Sequence, residues 1–292
     1  MMKIECVVDS RSELGEGAVW DVADQALWWV DIYGHKIHRF TPETGTNDGW
    51  DFGERVGCLT RRDRGGLIVA AESGFYTFDP DTGDKTAITD PEPNIEGNRF
   101  NDGGTDRQGR FWAGTMRDDG IKKPQGSFYR MDPDLNVTAM MDGFYTTNGC
   151  AFSPDGATMY VAESHAEIRT IWAFDYDTAS GTPMNRRVFV DTHDFAGRPD
   201  GGTVDSDGCY WMAGVGGWQV MRFTPDGKVD RVIDMPVEKP TKPMWGGPNL
   251  DTLYVTSLKQ GLDPNRPQPQ AGSLFAITGL GNSGVPEVRF SG

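Results

Sequence analysis

The stretch Asp106–Met116 (DRQGRFWAGTM) joins a turn rich in aspartate and glycine to a short apolar strand, and it decides the fold because it recurs. Asp and Gly favour a tight turn, and the aromatic and β-branched residues after such turns favour extended backbone. Five further copies are Asp21–Asp31 (DVADQALWWVD), Arg62–Glu72 (RDRGGLIVAAE), Ser153–Glu163 (SPDGATMYVAE), Asp205–Gly214 (DSDGCYWMAG) and Gly247–Ser257 (GPNLDTLYVTS). Equivalent strand positions, from Leu27 to Leu253, are 40, 44, 48, 51 and 43 residues apart. Spacings of this size are typical of repeat architectures.

A second unit follows each first one, as a strand that ends in an Asp, Pro or Gly turn, for example Tyr129–Pro133 and Met221–Pro225. Two hairpin halves repeated six times predict six four-stranded blades, because a single sheet cannot cover both of its own faces. We therefore predict an all-β fold, a six-bladed β-propeller forming one domain over residues 1–292. The run Ile4–Val8 precedes the first repeat and is expected to supply the outer strand of the last blade. A β-sandwich or two small β domains would also be all-β, but neither requires six copies.

Composition excludes several partners. The formal net charge of −15 argues against a nucleic-acid partner, which requires a basic patch, and against an anionic membrane surface. No apolar run approaches the ~20 residues of a membrane span, and Met1–Val8 is too short and too charged for a signal peptide. The four cysteines form no C-x-x-C pair, which favours buried free thiols. We expect a cytoplasmic protein, monomeric because the ring closes on itself.

Polar residues flanked by glycine or proline recur where the chain enters the inner strand of successive blades. Glu16, Asn148 and Asp200 all offer side-chain oxygens, and loops at one mouth of a propeller converge on its channel. Two carboxylates and one amide would suit a hard divalent cation with open positions for water or substrate. Taken singly, Asn-Gly and Asp-Gly are ordinary turn dipeptides. Their recurrence at one point of successive repeats favours a site.

Other chemistries find less support in the sequence. No G-x-S-x-G elbow indicates a nucleophilic serine, and no His-x-x-x-His pair indicates a zincin-like site. His165 follows an inner strand and is a candidate for the channel mouth. Trp218 and Trp245 are candidates for the pocket wall, with ordinary packing as the alternative. Trp50 is expected in a loop.

Seven stretches, in order along the chain, resemble one family. They are Leu14–Trp20 (LGEGAVW), Trp29–Ile32 (WVDI), Asn98–Asp106 (NRFNDGGTD), Phe111–Met116 (FWAGTM), Thr147–Ser153 (TNGCAFS), Arg198–Asp205 (RPDGGTVD) and Ala271–Leu280 (AGSLFAITGL). The chain resembles the SMP-30/gluconolactonase/regucalcin-like family of six-bladed propellers, and within it the bacterial sugar (aldono) lactonases. The resemblance covers nearly the whole chain.

The resemblance implies a role for particular residues. Glu16, Asn148 and Asp200 match the family's metal ligands. The stretches that carry the match also imply three substrate-binding residues: Arg99 and Asn101 for the sugar, and Asp119 in the acidic stretch after Thr115-Met116. The chain departs from the family at Gly104, where a lysine or alanine is common.

The function so implied is metal-dependent hydrolysis of a sugar lactone to the aldonic acid, with Asp200 as catalytic general base. The cofactor would be one divalent ion, and a carboxylate/amide set accepts Ca²⁺, Zn²⁺, Mn²⁺, Mg²⁺ or Fe²⁺. Two alternatives stay open. One is a calcium-dependent arylesterase or organophosphatase, and the other is a non-enzymatic metal-binding or interaction propeller.

Overall fold

Twenty-four β-strands and no helix make up the computed structural model, which describes all residues 1–292. The strands form six four-stranded antiparallel sheets, here called blades 1 to 6. Blade 1 contains β2 (Gly15–Asp21), β3 (Ala26–Asp31), β4 (Lys36–Thr41) and β5 (Thr46–Asp51). Blade 2 contains β6 (Val56–Arg61), β7 (Leu67–Ala71), β8 (Gly74–Phe78) and β9 (Lys85–Thr89). Blade 3 contains β10 (Asn98–Thr105), β11 (Phe111–Arg117), β12 (Gly126–Met131) and β13 (Val137–Phe144). Blade 4 contains β14 (Thr147–Phe152), β15 (Thr158–Glu163), β16 (Thr170–Asp177) and β17 (Thr182–Asp191). Blade 5 contains β18 (Arg198–Val204), β19 (Tyr210–Val215), β20 (Gln219–Phe223) and β21 (Val229–Asp234). Blade 6 contains β22 (Pro240–Gly246), β23 (Thr252–Ser257), β24 (Leu274–Thr278) and β1 (Lys3–Val8).

The blades close into a ring around a central channel. The first strands of the six blades contact one another in order, β2 to β6, β10, β14, β18, β22 and back to β2. Strand β1 pairs antiparallel with β24, with Lys3 opposite Thr278 and Glu5 opposite Ala276, so the chain start completes the last blade. The predictions of a six-bladed propeller and of its closing strand are confirmed.

The repeat units of the sequence are the second and third strands of each blade. The equivalent positions from Leu27 to Leu253 lie in β3, β7, β11, β15, β19 and β23. Their side chains are buried because neighbouring sheets pack face to face, and six apolar clusters fill the spaces between blades. No helix in the structure is both long enough and apolar enough to cross a membrane.

Two tryptophans lie elsewhere than the sequence suggested. Trp245 is buried between blades 5 and 6, edge to face with Trp211 at a centroid distance of 5.3 Å, so it does not wall a pocket mouth. Trp50 lies in β5 rather than in a loop, stacked on Trp28 at 5.5 Å. Trp245 is buried because an indole ring beside a sheet face gains more from burial than from exposure, whereas Trp50 is extended because its strand pairs with β4, opposite Ile37.

The last residues cover one mouth of the channel. The Phe290 amide donates a hydrogen bond to the Arg61 carbonyl in blade 2, and the Phe290 carbonyl accepts one from the Asp63 amide. The Gly284 amide donates a hydrogen bond to the Leu250 carbonyl in blade 6 at 2.7 Å. These partners are at the turns where the first strands end. The opposite mouth, where the first strands begin, is therefore the face that can admit a ligand.

Candidate active site

The predicted ligands lie inside the first strands, not in the loops before them. Glu16, Asn148 and Asp200 belong to β2, β14 and β18, and each lies at or beside a break in strand register. A β-bulge inserts an extra residue and turns side chains away from the regular pleat. Gly17 and Gly149 adopt φ of 59° and 64°, a left-handed conformation that glycine adopts without strain. The Glu-Gly and Asn-Gly pairs are thus bulge signals.

The carboxylates of Glu16 and Asp200 are buried without a cationic side chain bound to either. Their exposed fractions are 4% and 8%, and Glu16 accepts one hydrogen bond, from the Gly17 amide at 2.9 Å. Burial, with the charges of Asp200 and Asp102 added, raises the pKa of Glu16 well above its usual value. Burial and the Asp102 charge raise the pKa of Asp200 to about 7. Two such acids in one channel favour a bound cation, which would stabilise both charged forms.

A chain of hydrogen bonds connects these strands. The Arg99 guanidinium donates to Asn101 Oδ1 at 2.7 Å, and Asn101 Nδ2 donates to Asn148 Oδ1 at 3.1 Å. Asn148 Nδ2 then donates to Ser164 Oγ at 2.7 Å, and Ser164 donates to the carbonyl of Pro199, the residue before Asp200. The structure therefore joins Arg99, Asn101 and Asn148 in one network across blades 3 and 4.

Ser164 is a site residue that the sequence analysis missed. It directly follows β15 and fixes which end of the Asn148 amide faces the channel, because its hydroxyl takes the NH₂ group. The only available signal was its place in Glu163-Ser164-His165, at the end of a second strand.

Asp118 holds Arg99 from the mouth of the channel. It accepts hydrogen bonds from Arg99 Nε at 2.6 Å, from Arg55 Nη1 at 3.1 Å and from the Tyr33 hydroxyl at 2.9 Å. Burial would raise the pKa of Asp118, but the charges of Arg99 and Arg55 and these bonds lower it below its usual value. Asp118 therefore stays ionised and forms ion pairs with two arginines at once.

Asp119, the acidic residue implied by the resemblance, lies at the exposed rim. Its carboxylate accepts hydrogen bonds from Arg117 at 2.8 and 2.6 Å, and these bonds lower its pKa to about 2. The structure does not join Asp119 to Arg99, so its substrate role stays a prediction. Asp118 directly follows β11 and faces Arg99, whereas Asp119 lies in the bend that comes next and binds Arg117.

Two further candidates lie on the open face. His165 is half-buried after β15 and stacks on Tyr145 at 4.3 Å. Trp218 is half-buried in the turn after β19, beneath the Arg266 guanidinium at 4.1 Å. Both lie where second strands end, on the side where first strands begin.

The donor set suits a hard cation. No group of three or more His, Cys, Asp or Glu side chains is arranged to hold a metal ion. The predicted ligands are two carboxylates and one amide, an all-oxygen set of the kind that binds Ca²⁺ or Mg²⁺. Burial of both acids without a cationic partner fits such an ion, since the only buried lysine pairs with Asp102 instead.

Comparison with known proteins agrees with the fold and covers the whole chain. The family model described as SMP-30/Gluconolactonase/LRE-like region matches residues 14–259. A 6-deoxy-6-sulfogluconolactonase from Pseudomonas putida is 36% identical over 294 residues, covering 99% of this chain and 99% of that protein. Regucalcin from Xenopus laevis is 34% identical over 298 residues, covering 100% of this chain and 99% of that one. The crystal structure of regucalcin from Agrobacterium tumefaciens, a calcium-binding protein, aligns with a TM-score of 0.92 at 27% identity, covering 98% and 96% of the two chains. This chain belongs to the SMP-30/gluconolactonase family.

Proposed function

We propose that this protein is a hydrolase that opens a sugar lactone to the aldonic acid with one divalent metal ion. The observation that carries the proposal is the pair of buried, cation-free carboxylates, Glu16 and Asp200, beside the hydrogen-bonded chain that ends at Arg99. The Pseudomonas putida relative, named as a sugar lactonase, supports the substrate class.

Glu16, Asn148 and Asp200 are the residues proposed to hold the ion. A divalent ion bound there would supply Lewis-acid polarisation of the lactone carbonyl. The Ser164 hydroxyl keeps the Asn148 amide oxygen turned away from itself, and this oxygen accepts one hydrogen bond from Asn101 and has a second lone pair for the ion. Neither glycine after Glu16 or Asn148 adds a side chain that would crowd the site.

Asp200 is the proposed catalytic base. Its carboxylate has no competing hydrogen-bond donor from a neighbouring side chain, and it lies in a channel that is covered at the opposite mouth. In this position Asp200 can accept a proton from the attacking water at a carboxylate oxygen and release it to the ring oxygen that leaves. The protons balance, because the water supplies one hydroxyl to the carbonyl carbon and one proton to the new sugar hydroxyl.

Arg99 and Asn101 are proposed to orient the sugar. Asp118 and Asn101 hold the guanidinium from two sides, at 2.6 and 2.7 Å, which lowers the entropy cost of placing a substrate against it. The surrounding groups are hydrogen-bonding and charged, which favours a hydroxylated ring over an apolar aryl ester. A metal-binding propeller without activity remains the alternative that the calcium-binding regucalcin structure suggests.

A hydrolysis screen tests the proposal. The protein is stripped with chelator and supplied with Ca²⁺, Mg²⁺, Mn²⁺ or Zn²⁺, and acid release is followed with a pH indicator. The substrates are neutral 1,4- and 1,5-aldonolactones, a 6-sulfonated gluconolactone and phenyl acetate. We expect metal-dependent acid release from a lactone and none above background from the aryl ester. Metal binding without release from any lactone would overturn the proposal.

A further inference from the structure

A buried ion pair spans the central channel. Lys242, from β22 of blade 6, donates to both oxygens of Asp102, from β10 of blade 3, at 2.7 and 3.0 Å. The side chains are 2% and 1% exposed, and 140 residues separate them in sequence. An isolated buried charge is costly, so each member requires the other. Nothing in the proposed reaction uses this pair.

The pair lies against the strands that carry two of the proposed metal ligands, Asn148 and Asp200. The Asp102 carboxylate accepts a hydrogen bond from the Cys150 amide at 3.1 Å, two residues after Asn148. The side chain of Lys242 packs on Gly201, the residue after Asp200, so closely that a Cβ there would lie 2.4 Å from Lys242 Cδ. Lys242 also borders the same small cavity as Gly17, the residue after Glu16. Two of the three ligand strands therefore contact the pair, and the third borders the same cavity as Lys242.

The ionisable side chains of the proposed ligands and of the ion pair have a net charge that matches one divalent cation. Glu16, Asp200 and Asp102 carry three negative charges when ionised, Lys242 carries one positive charge, and the charge of Arg99 is offset by its ion pair with Asp118. The sum is −2, which one divalent ion neutralises. Without Lys242 the channel would hold −3, and without Asp102 it would hold −1.

We propose that Lys242 and Asp102 set the charge of the metal centre, so that the affinity of the proposed site for a divalent cation depends on this pair. The proposal rests on the assignment of Glu16, Asn148 and Asp200 as ligands. The positive charge of Lys242 offsets the negative charge of Asp102. In turn, the negative charge of Asp102 reduces the repulsion between Lys242 and the metal ion. Neither residue is a ligand; both are positioning residues that act through the field at the ligands.

Opposite effects of two single substitutions distinguish this role from a structural one. Lys242→Met removes the positive charge, so we expect Ca²⁺ and Mn²⁺ to bind at least about tenfold more tightly. Asp102→Asn leaves Lys242 unbalanced, so we expect the same ions to bind at least about tenfold more weakly. The double variant Asp102→Asn/Lys242→Met restores a charge of −2. We expect its affinity for Ca²⁺ and Mn²⁺ to be within about threefold of that of the unsubstituted protein. A pair with only a structural role would weaken binding in both single variants.

Isothermal titration calorimetry with CaCl₂ and MnCl₂ at pH 8, on chelator-stripped protein, measures these affinities. Melting temperatures of the metal-free proteins report folding separately. Arg222→Met is the matched control, because it removes a buried cation from Asp205, at the covered end of blade 5, with a contact of 2.7 Å. We expect it to lower the melting temperature and leave metal affinity unchanged.

The outcomes separate this proposal from the proposed function. If the unchanged protein binds metal and hydrolyses a lactone, but both single variants shift affinity in the same direction or not at all, only the charge proposal fails. If Asp102→Asn does not fold, an unchanged affinity in Lys242→Met alone overturns it. If the unchanged protein binds no divalent ion, both proposals are wrong.

Discussion

Replacing Asp118 with Asn is the sharpest test of how Arg99 is positioned. Asn has nearly the shape of Asp but no charge, so the change removes the counter-ion of Arg99 without leaving a cavity, while Arg55 keeps its ion pair with Glu72. In the structure the Asp118 carboxylate accepts hydrogen bonds from Arg99 Nε at 2.6 Å, from Arg55 Nη1 at 3.1 Å and from the Tyr33 hydroxyl at 2.9 Å. After the substitution the two guanidinium groups would repel each other across a neutral amide.

The size of the effect follows from these contacts. A hydrogen bond to a charged group contributes about 1.5–3 kcal/mol, and roughly half of that strength is lost when the acceptor becomes neutral. Arg99 has one such bond to Asp118, and repulsion from Arg55 adds to the loss. The hydrogen-bond loss alone is about 0.75–1.5 kcal/mol, which corresponds to a fall in kcat/KM of about 3- to 12-fold, since ~1.4 kcal/mol is a factor of ten, and the repulsion makes the expected fall larger. Because Arg99 is proposed to hold the sugar, we expect the loss mainly in KM.

The neighbouring residue provides a matched control. Asp119 is exposed and bonded to Arg117 alone among side chains, and exposed ion pairs contribute little, so Asp119→Asn should change kcat/KM less than about twofold. Initial rates of lactone hydrolysis across a range of substrate concentrations give both parameters, and calorimetry should show unchanged metal affinity in both variants. If Asp118→Asn keeps the original kcat/KM while Asp119→Asn loses it, the reasoning from the contacts is refuted and the sequence prediction for Asp119 stands.

Three further predictions concern the metal end of the site. Ser164→Ala removes the acceptor of the Asn148 NH₂ group and leaves only the Asn101 bond to orient the amide, so metal affinity should fall about 10- to 100-fold by calorimetry, as for other groups that orient a ligand, and an unchanged affinity would contradict this orienting role. Asp200→Ala should abolish both metal binding and turnover while the circular dichroism spectrum stays that of a β-protein; retained activity in a folded variant would exclude Asp200 as base and ligand. The contribution of Asp200 to the stability of the chelated protein should depend on pH. Burial raises the pKa of Asp200 to about 7 in the folded chain from 3.8, so the folded chain binds this proton more tightly and this contribution decreases as the pH rises from about 4 to 7. Urea unfolding should therefore show that Asp200→Asn gains stability relative to the original protein over this pH range, and that saturating Ca²⁺ stabilises the original protein at pH 8; the same pH dependence in both proteins would refute the pKa assignment.

More of the fold than of the site can be predicted from the sequence. The sequence predicts that Glu16, Asn148 and Asp200 lie in loops, because Gly beside a polar residue is typical of a turn. In the structure the same glycines form bulges inside strands, since the partner strand continues past them. A bulge is visible only when the register of two strands is known.

The number of blades, the strand order within them and the closing role of β1 could be inferred from the chain alone. Turn chemistry and strand propensity act over a few residues, and six local copies allow only a closed ring to bury their faces. The inward turn of Asp118, the burial of Trp245 and the pairing of Lys242 with Asp102 could not be inferred. Each depends on which residues of distant strands meet once the ring closes, and for Lys242 and Asp102 that meeting spans 140 residues and the width of the channel. Local sequence therefore determined the propeller, and only the closed ring decided the charge balance at its centre.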